Sequence, residues 1–166
     1  ICLSITKDGL LVQLANINSS NQIVISGYKK AVDIAIQQSN EAGAKRALLL
    51  PMSIPAHCEL MEPASERFKK ILDTINLQEP NCDVVQNVDA SISNSLSKIS
   101  ENLISQIYSP VRWAEIMNSF KKLRLSKCVE CGPGKVLSGL IKRTLKDIEI
   151  ISLDNYESFL DKEKIV

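Results

Sequence analysis

Short apolar runs and turn signals divide the first fifty residues into alternating strands and a helix. The β-rich runs at 11–17 and 22–26 flank a polar turn, so they predict neighbouring strands. Residues 29–42 carry apolar side chains at helical spacing and end before a glycine, which suits a left-handed helix cap. Residues 45–50 form a third apolar run, which a proline ends. The predicted order is therefore strand, strand, helix, strand.

This order matches the later part of a split βαβ unit, whose first strand and helix would come before residue 1. The chain also begins with the apolar string ICLSI instead of a methionine. We therefore expect the sequence to be cut from a longer polypeptide, with residues 1–5 as the end of an earlier element.

Longer helical patterns alternate with short strands after residue 52. Apolar residues recur at helical spacing in four segments, 61–75, 92–107, 113–123 and 136–141, the third preceded by a Ser-Pro start signal. Short strands are predicted between these helices at 83–88, 127–131 and 148–153. The charged tail 155–166 predicts a short peripheral helix. Strands that alternate with helices indicate an α/β fold with a parallel sheet.

Composition and charge narrow the class of protein. With 45% hydrophobic residues the chain can bury a core, and 20 basic against 19 acidic residues leave a net charge of +1. Such a surface has no overall attraction for nucleic acid or membranes, and no apolar run is long enough to cross a bilayer. Five scattered cysteines suit reduced thiols. We predict a cytoplasmic globular protein that binds neither nucleic acid nor membrane.

His57 is the first candidate for chemistry because it is the only imidazole in the chain. It lies in a proline-containing loop directly after an apolar run, where α/β sheets present side chains to ligands. The alternative is a structural histidine that bonds a backbone carbonyl. A single histidine excludes zinc sites built from several histidines, and we predict no metal site.

Cysteine or phosphate chemistry has weaker support. Cys58 follows His57, but neighbours in an extended segment point to opposite sides, so a buried thiol is the better interpretation. Cys128 and Cys131 have the spacing of a redox or zinc half-site, yet they fall in a predicted strand and no second CxxC exists. The string GPGK at 132–135 fails the phosphate-loop pattern and offers an anion only a helix N-terminus. No G-x-S-x-G nucleophile elbow is present in the sequence.

Seven strings, taken in order, carry a resemblance to a known family. They are NIN at 16–18, QIVISG at 22–27, EAGAKRA at 41–47, LPMSIPAHCELM at 50–61, NVDA at 87–90, QIYSPVRW at 106–113 and ECGPGKVL at 130–137. In this order and spacing they resemble the C-terminal half of malonyl-CoA:acyl carrier protein transacylases. The strings span nearly the whole chain, and together they are highly specific.

The resemblance implies an α/β fold with two parts. These are a partial α/β-hydrolase-like large subdomain at 53–166 and part of an inserted ferredoxin-like small subdomain at 1–52. Members of the family are usually monomeric, use no cofactor, and act on malonyl-CoA and acyl carrier protein.

The resemblance also implies a mechanism in which a serine takes the malonyl group from CoA and passes it to the carrier's phosphopantetheine thiol. His57 matches the family's catalytic base, and Gln106 matches the position whose backbone carbonyl holds the imidazole. Asn16 and Asn18 match positions near the pantetheine arm of the substrate. The serine elbow, the arginine for the malonyl carboxylate and the oxyanion loop would all lie upstream of residue 1.

Two departures from the family pattern bear on specificity. Ala56 stands where bacterial members usually have serine, and the string NSSN at 18–21 replaces a proline-glycine turn. Three functions stay open at this point. The chain is part of an acyltransferase, an inactive fragment or carrier-binding module of the same family, or a Cys58 hydrolase or CxxC redox protein.

Overall fold

The computed structural model describes residues 1–160. This part of the chain contains seven α-helices and four strands. The predicted α/β class is therefore confirmed. The chain divides into two units after Ala114. A subdomain boundary near residue 52 stays a prediction. None of the helices within residues 1–160 is long and apolar enough to cross a bilayer.

A helix-covered hairpin forms the start of the first unit. Its elements are α1 (Cys2–Lys7), β1 (Val12–Ser19), β2 (Gln22–Gly27) and α2 (Lys29–Glu41). β1 and β2 pair antiparallel, as the polar turn between them predicts. The buried core joins both helices to the hairpin through Ile5, Val12, Ala31 and Ala35. Small alanines on α2 allow this helix to approach the sheet closely.

Two predicted strands of the first unit are wrong. Residues 45–50 form no strand, and Leu48, Leu49 and Leu50 are 45%, 58% and 44% exposed. A strand exists only with a hydrogen-bonded neighbour, and none of the described residues pairs with this run. The predicted strand at 83–88 is reduced to one antiparallel bridge between Val85 and Ile92.

The rest of the first unit is helical, with shorter helices than the apolar patterns predict. A 3-10 turn at Glu59–Met61 leads into α3 (Glu62–Leu72), whose proline lies in the first turn as expected. α4 (Leu96–Ser105) begins four residues after its pattern does, and α5 (Trp113–Lys122) starts at the end of this unit.

A parallel βαβ arrangement forms the second unit. β3 (Lys127–Cys131) pairs in parallel with β4 (Glu149–Leu153), and α6 (Val136–Thr144) connects them. This confirms the predicted parallel sheet. α7 (Tyr156–Leu160) accounts for the start of the predicted tail helix, and residues 161–166 lie outside the described part.

Candidate functional site

His57 lies in an irregular loop and has a backbone conformation that residues other than glycine rarely adopt. Its φ is +61°, in the left-handed region, and its ring is half-buried. Non-glycine residues in this region cost of the order of 1–3 kcal/mol and are held there by their surroundings. Two neighbouring carbonyls hold His57. Its amide N–H donates to the Ile107 carbonyl at 3.1 Å, and its Nδ1 lies 2.7 Å from the Gln106 carbonyl.

The bond to Gln106 fixes which nitrogen of the ring carries the proton. A carbonyl oxygen only accepts hydrogen bonds, so Nδ1 must donate. In the neutral ring Nε2 then keeps its lone pair, which is the state that a general base needs. The structure therefore brings His57 and Gln106 together in the arrangement that the resemblance implies.

β1 anchors the segment that supplies these carbonyls. The register of β1 shifts between Leu14 and Asn16, which leaves Ala15 as a bulge. The Ala15 carbonyl accepts the Val111 amide at 2.8 Å, and Ile17 donates to the Val111 carbonyl at 2.9 Å. This added parallel bridge ties residues 106–111 to the hairpin.

A second link joins β1 to the turn that follows His57. The Gln13 side chain donates from Nε2 to the Glu59 carboxylate at 2.6 Å, and its Oε1 accepts the Glu59 amide at 2.9 Å. These two bonds span 46 positions of sequence, so no local pattern predicts them. They hold the residues after His57 against the hairpin.

Two clefts of different character meet at His57. The larger, of about 690 Å³, has mostly apolar walls, with lining residues from β2 and from 49–50 and 52–56, and Lys29 also lines it. The smaller, of about 330 Å³, includes the carboxylates of Glu59 and Glu62 and the ring of Tyr108. An anionic ligand is therefore better accommodated in the larger cleft than in the smaller one.

The other predicted site residues divide between the clefts and their surroundings. Asn16 and Ala56 line the larger cleft together with His57. Asn18 lies two residues further along β1 and lines neither cleft. Gln106 contributes its backbone behind the imidazole. The geometry thus groups Asn16 with His57 and leaves Asn18 outside this group.

The loop that bonds the Gln106 side chain also contains a carboxylate with no role in the sequence patterns, that of Asp89. Asp89 accepts hydrogen bonds from the Ser91 amide at 3.0 Å and from Asn102 at 3.3 Å, and forms a 3.1 Å ion pair with Lys98. Burial by itself raises the pKa of Asp89, but these hydrogen bonds outweigh it and hold the pKa well below its usual range. Asp89 therefore fastens its loop to α4, directly before Gln106.

The helix N-terminus after GPGK is occupied by a carboxylate of the chain itself. Glu130, which is 9% exposed, accepts the amides of Leu137 at 3.0 Å and Ser138 at 2.8 Å, as well as the Ser138 hydroxyl. The Ser138 hydroxyl and these amides lower the pKa of Glu130. The helix N-terminus that follows residues 132–135 is therefore not open to an external anion, because Glu130 already fills it. The signal in the sequence is an acidic residue near the end of a short strand, a few residues before a helix begins.

The cysteines have structural surroundings. Cys58 is fully buried, and its thiol contacts the Pro55 carbonyl at 3.3 Å. Cys128 and Cys131 are three apart on β3, so their side chains point to opposite faces of the sheet. Burial raises the pKa of Cys128, which opposes thiolate chemistry. Within residues 1–160 no cluster of three or more metal-ligating side chains is present.

No protein-family profile matches the chain. Curated proteins, however, are similar to the chain in sequence. The chain is 43% identical over 154 residues to the malonyl CoA-acyl carrier protein transacylase of Bacillus subtilis, covering 93% of the chain and 49% of that relative. For the enzymes of the same name from Haemophilus influenzae and Escherichia coli K12, identity is 42% and 39%, over 92% and 89% of the chain. The chain thus spans about half the length of these relatives, in their C-terminal half.

Solved structures agree with the sequence comparison. A malonyl-transacylase in complex with a type II PKS acyl-carrier protein superposes with a TM-score of 0.91 at 36% identity, covering 99% of this chain and 53% of its own. An acyl carrier protein S-malonyltransferase from Vibrio cholerae gives 0.90 at 40% identity, with 99% and 53% coverage. The resemblance to malonyl-CoA:acyl carrier protein transacylases is therefore confirmed, and the chain is homologous to their C-terminal half.

Proposed function

We propose that this chain supplies the histidine base of a transferase that moves a malonyl group from CoA to the phosphopantetheine thiol of acyl carrier protein. The observation that carries the proposal is the 2.7 Å contact between His57 Nδ1 and the Gln106 carbonyl. This contact leaves Nε2 as the basic nitrogen, at the meeting point of two clefts. The names of the homologues support malonyl transfer to a carrier protein.

The reaction needs one base in two successive steps. Nε2 of His57 accepts the proton of a serine hydroxyl while the serine oxygen attacks the malonyl thioester carbonyl. When the carbon–sulfur bond breaks, the protonated ring gives that proton to the departing CoA sulfur. Nε2 then accepts the proton of the carrier's thiol, whose sulfur attacks the acyl-serine ester, and returns it to the serine oxygen. The Gln106 carbonyl holds the ring in the correct tautomer throughout, although it stabilises the imidazolium less than a carboxylate would.

The nucleophile in this proposal lies outside these 166 residues, because their sequence has no G-x-S-x-G elbow. The larger cleft is the place for the thioester substrate, since its apolar walls and Lys29 suit an acyl chain with anionic ends. In this proposal Asn16, in that cleft, contacts the pantetheine arm, and Asn18, near the end of β1, contacts the same arm from outside the cleft. The free cysteines support a cytoplasmic enzyme.

The proposal includes the two-part architecture that the resemblance implies. In the proposed fold residues 1–52 belong to a ferredoxin-like small subdomain, and the residues after 52 belong to an α/β-hydrolase-like large subdomain. Like other members of the family, the complete enzyme is a monomer in this proposal.

A fusion protein tests the proposal. The N-terminal half of the Bacillus subtilis relative is joined to this chain, and transfer from radiolabelled malonyl-CoA to holo acyl carrier protein is measured. We expect transfer in the fusion, and a fall of about 100- to 10,000-fold in His57→Ala. The neighbouring variant Cys58→Ala is the matched control and should retain transfer. Equal activity of His57→Ala and the parent fusion, both folded, would reject the histidine as base.

The alternative is a catalytically inactive piece or carrier-binding module of the same family. Its supporting observation is the absence of a serine elbow from the sequence. For the chain alone we expect no covalent labelling by malonyl-CoA. If the folded fusion also transfers nothing while the chain binds holo acyl carrier protein in a calorimetric titration, the alternative replaces the main proposal.

A further inference from the structure

We propose that Asn87 is a positioning residue that keeps the Gln106 carbonyl on the imidazole of His57, an inference that rests on the proposed function for its catalytic meaning. Asn87 lines neither of the clefts beside His57, and its side chain donates its hydrogen bond to Gln106. Its effect on the ring is exerted through Gln106.

Asn87 binds both ends of the segment that holds the imidazole. Its side-chain Nδ2 donates to Gln106 Oε1 at 3.2 Å, and its backbone carbonyl accepts the Arg112 amide at 2.9 Å. Between these two points lie the carbonyls of Gln106 and Ile107, which accept the two hydrogen bonds from His57. A change at Asn87 therefore acts on the part of the chain that orients the ring.

Asp89 holds the loop that carries Asn87 against α4. Two residues along the same loop, Asp89 accepts Asn102 Nδ2 at 3.3 Å and pairs with Lys98 on α4. Asn102 is 4% exposed, and its carbonyl accepts the Gln106 amide at 2.9 Å. The loop, the end of α4 and Gln106 thus form a closed ring of hydrogen bonds.

The closed ring matters because Gln106 is the C-cap residue directly after α4. Its φ of −62° and ψ of −19° are helical, but the chain turns away after it. A peptide carbonyl at such a helix end bonds no later amide of the helix. The same peptide unit is held by one long hydrogen bond, from the Ile107 amide to the Ile104 carbonyl at 3.3 Å, and the Asn87 contact adds a second restraint through the Gln106 side chain.

The tautomer of His57 reports this positioning directly. The chain has one histidine, so the ¹⁵N shifts of a labelled sample give the ratio of Nδ1–H to Nε2–H without assignment ambiguity. Measured near pH 9, where imidazoles are neutral, the parent chain should favour Nδ1–H. In Asn87→Ala we expect the ratio to fall about fivefold, the effect of losing a hydrogen bond of ordinary net strength.

Asn94 offers a matched control. It is an exposed asparagine nearby in the chain, and its Nδ2 also donates a 3.2 Å hydrogen bond, to Asp83, with no link to Gln106. Asn94→Ala should leave the ratio unchanged. An unchanged ratio in folded Asn87→Ala, or an equal fall in both variants, overturns the proposal.

A second variant tests the proposal if Asn87→Ala does not fold. Gln106→Ala removes the side-chain partner and keeps the carbonyl, so it should reproduce the fall, and adding Asn87→Ala should lower the ratio no further. An unchanged ratio in Gln106→Ala also overturns the proposal. The measurement needs no substrate. Absence of transfer by the fusion would therefore reject the proposed function but not the positioning role. A tautomer ratio that does not change in Asn87→Ala would reject only the positioning role.

Discussion

Replacing Glu130 by glutamine should strongly destabilise the second unit, although the two side chains have nearly the same shape. Glu130 is buried on β3 and accepts two backbone amides from the first turn of α6 as well as the Ser138 hydroxyl. A glutamine keeps one oxygen acceptor, but its NH₂ group then faces a donor. One of the amides or the hydroxyl loses its partner.

The magnitude follows from these contacts. Hydrogen bonds to a charged group contribute about 1.5–3 kcal/mol each, and a carboxylate at a helix N-terminus adds about 0.3–2 kcal/mol. Because glutamine retains part of the bonding, we expect Glu130→Gln to lose about 2–3 kcal/mol of unfolding free energy. Glu149→Gln is the matched control on the adjacent strand. The Glu149 carboxylate is 61% exposed and lies 4.0 Å from Lys127, so its loss should change stability by no more than about 0.5 kcal/mol.

The assay combines urea unfolding with amide hydrogen exchange. At neutral pH the amides of Leu137 and Ser138 should exchange roughly 30-fold faster or more in Glu130→Gln, as a loss of about 2 kcal/mol requires. The pKa of Glu130 is lowered in the fold, so its contribution is complete above the unfolded value of about 4.3. It is lost as the pH falls through the folded pKa. The difference between parent and variant should therefore shrink in acid. Equal stability of the Glu130→Gln and Glu149→Gln variants would refute this reasoning.

Three further predictions follow from the same contacts. Gly27→Ala should destabilise the hairpin by a few kcal/mol in thermal unfolding, because a Cβ there would lie 2.2 Å from the Leu11 carbonyl oxygen, and retained stability would show that the strands shift freely. Asp89→Asn should lower stability by about 1–2 kcal/mol at pH 7, and this loss should shrink below about pH 4 because the lowered pKa makes the Asp89 contribution disappear in acid. Iodoacetamide should label the cysteines in order of exposure, as followed by mass spectrometry of the peptides: Cys82 and Cys131 first, then Cys2 and Cys128, then Cys58. Early labelling of the buried Cys58 would support the thiol-nucleophile hypothesis.

Much of the fold was predictable because its signals are local. The hairpin strands, α2 and the parallel pair β3 and β4 are confirmed, since alternation, helical spacing and glycine turns are properties of neighbouring residues. The run at 45–50 was misassigned because pairing depends on a neighbour that periodicity cannot supply. Leu48, Leu49 and Leu50 have strand composition but no strand partner among residues 1–160.

The candidate site was only partly predictable. His57 could be singled out as the only imidazole, and the resemblance supplied Gln106 and Asn16, whose positions agree with a common site. The contacts that hold His57 join residues that are distant in the chain, such as Gln13 with Glu59. Their geometry exists only after the chain has folded.

The sequence by itself determined the α/β class, the paired hairpin and the single candidate base. These depend on residue type and on spacing along the chain. Only the tertiary structure decided which nitrogen of His57 carries the proton, since that depends on a carbonyl 49 residues away. It also decided that the Glu130 carboxylate fills the helix N-terminus that follows GPGK. Hydrogen bonds and buried charges are set by distance in space, and a linear sequence does not contain that distance until the core has packed.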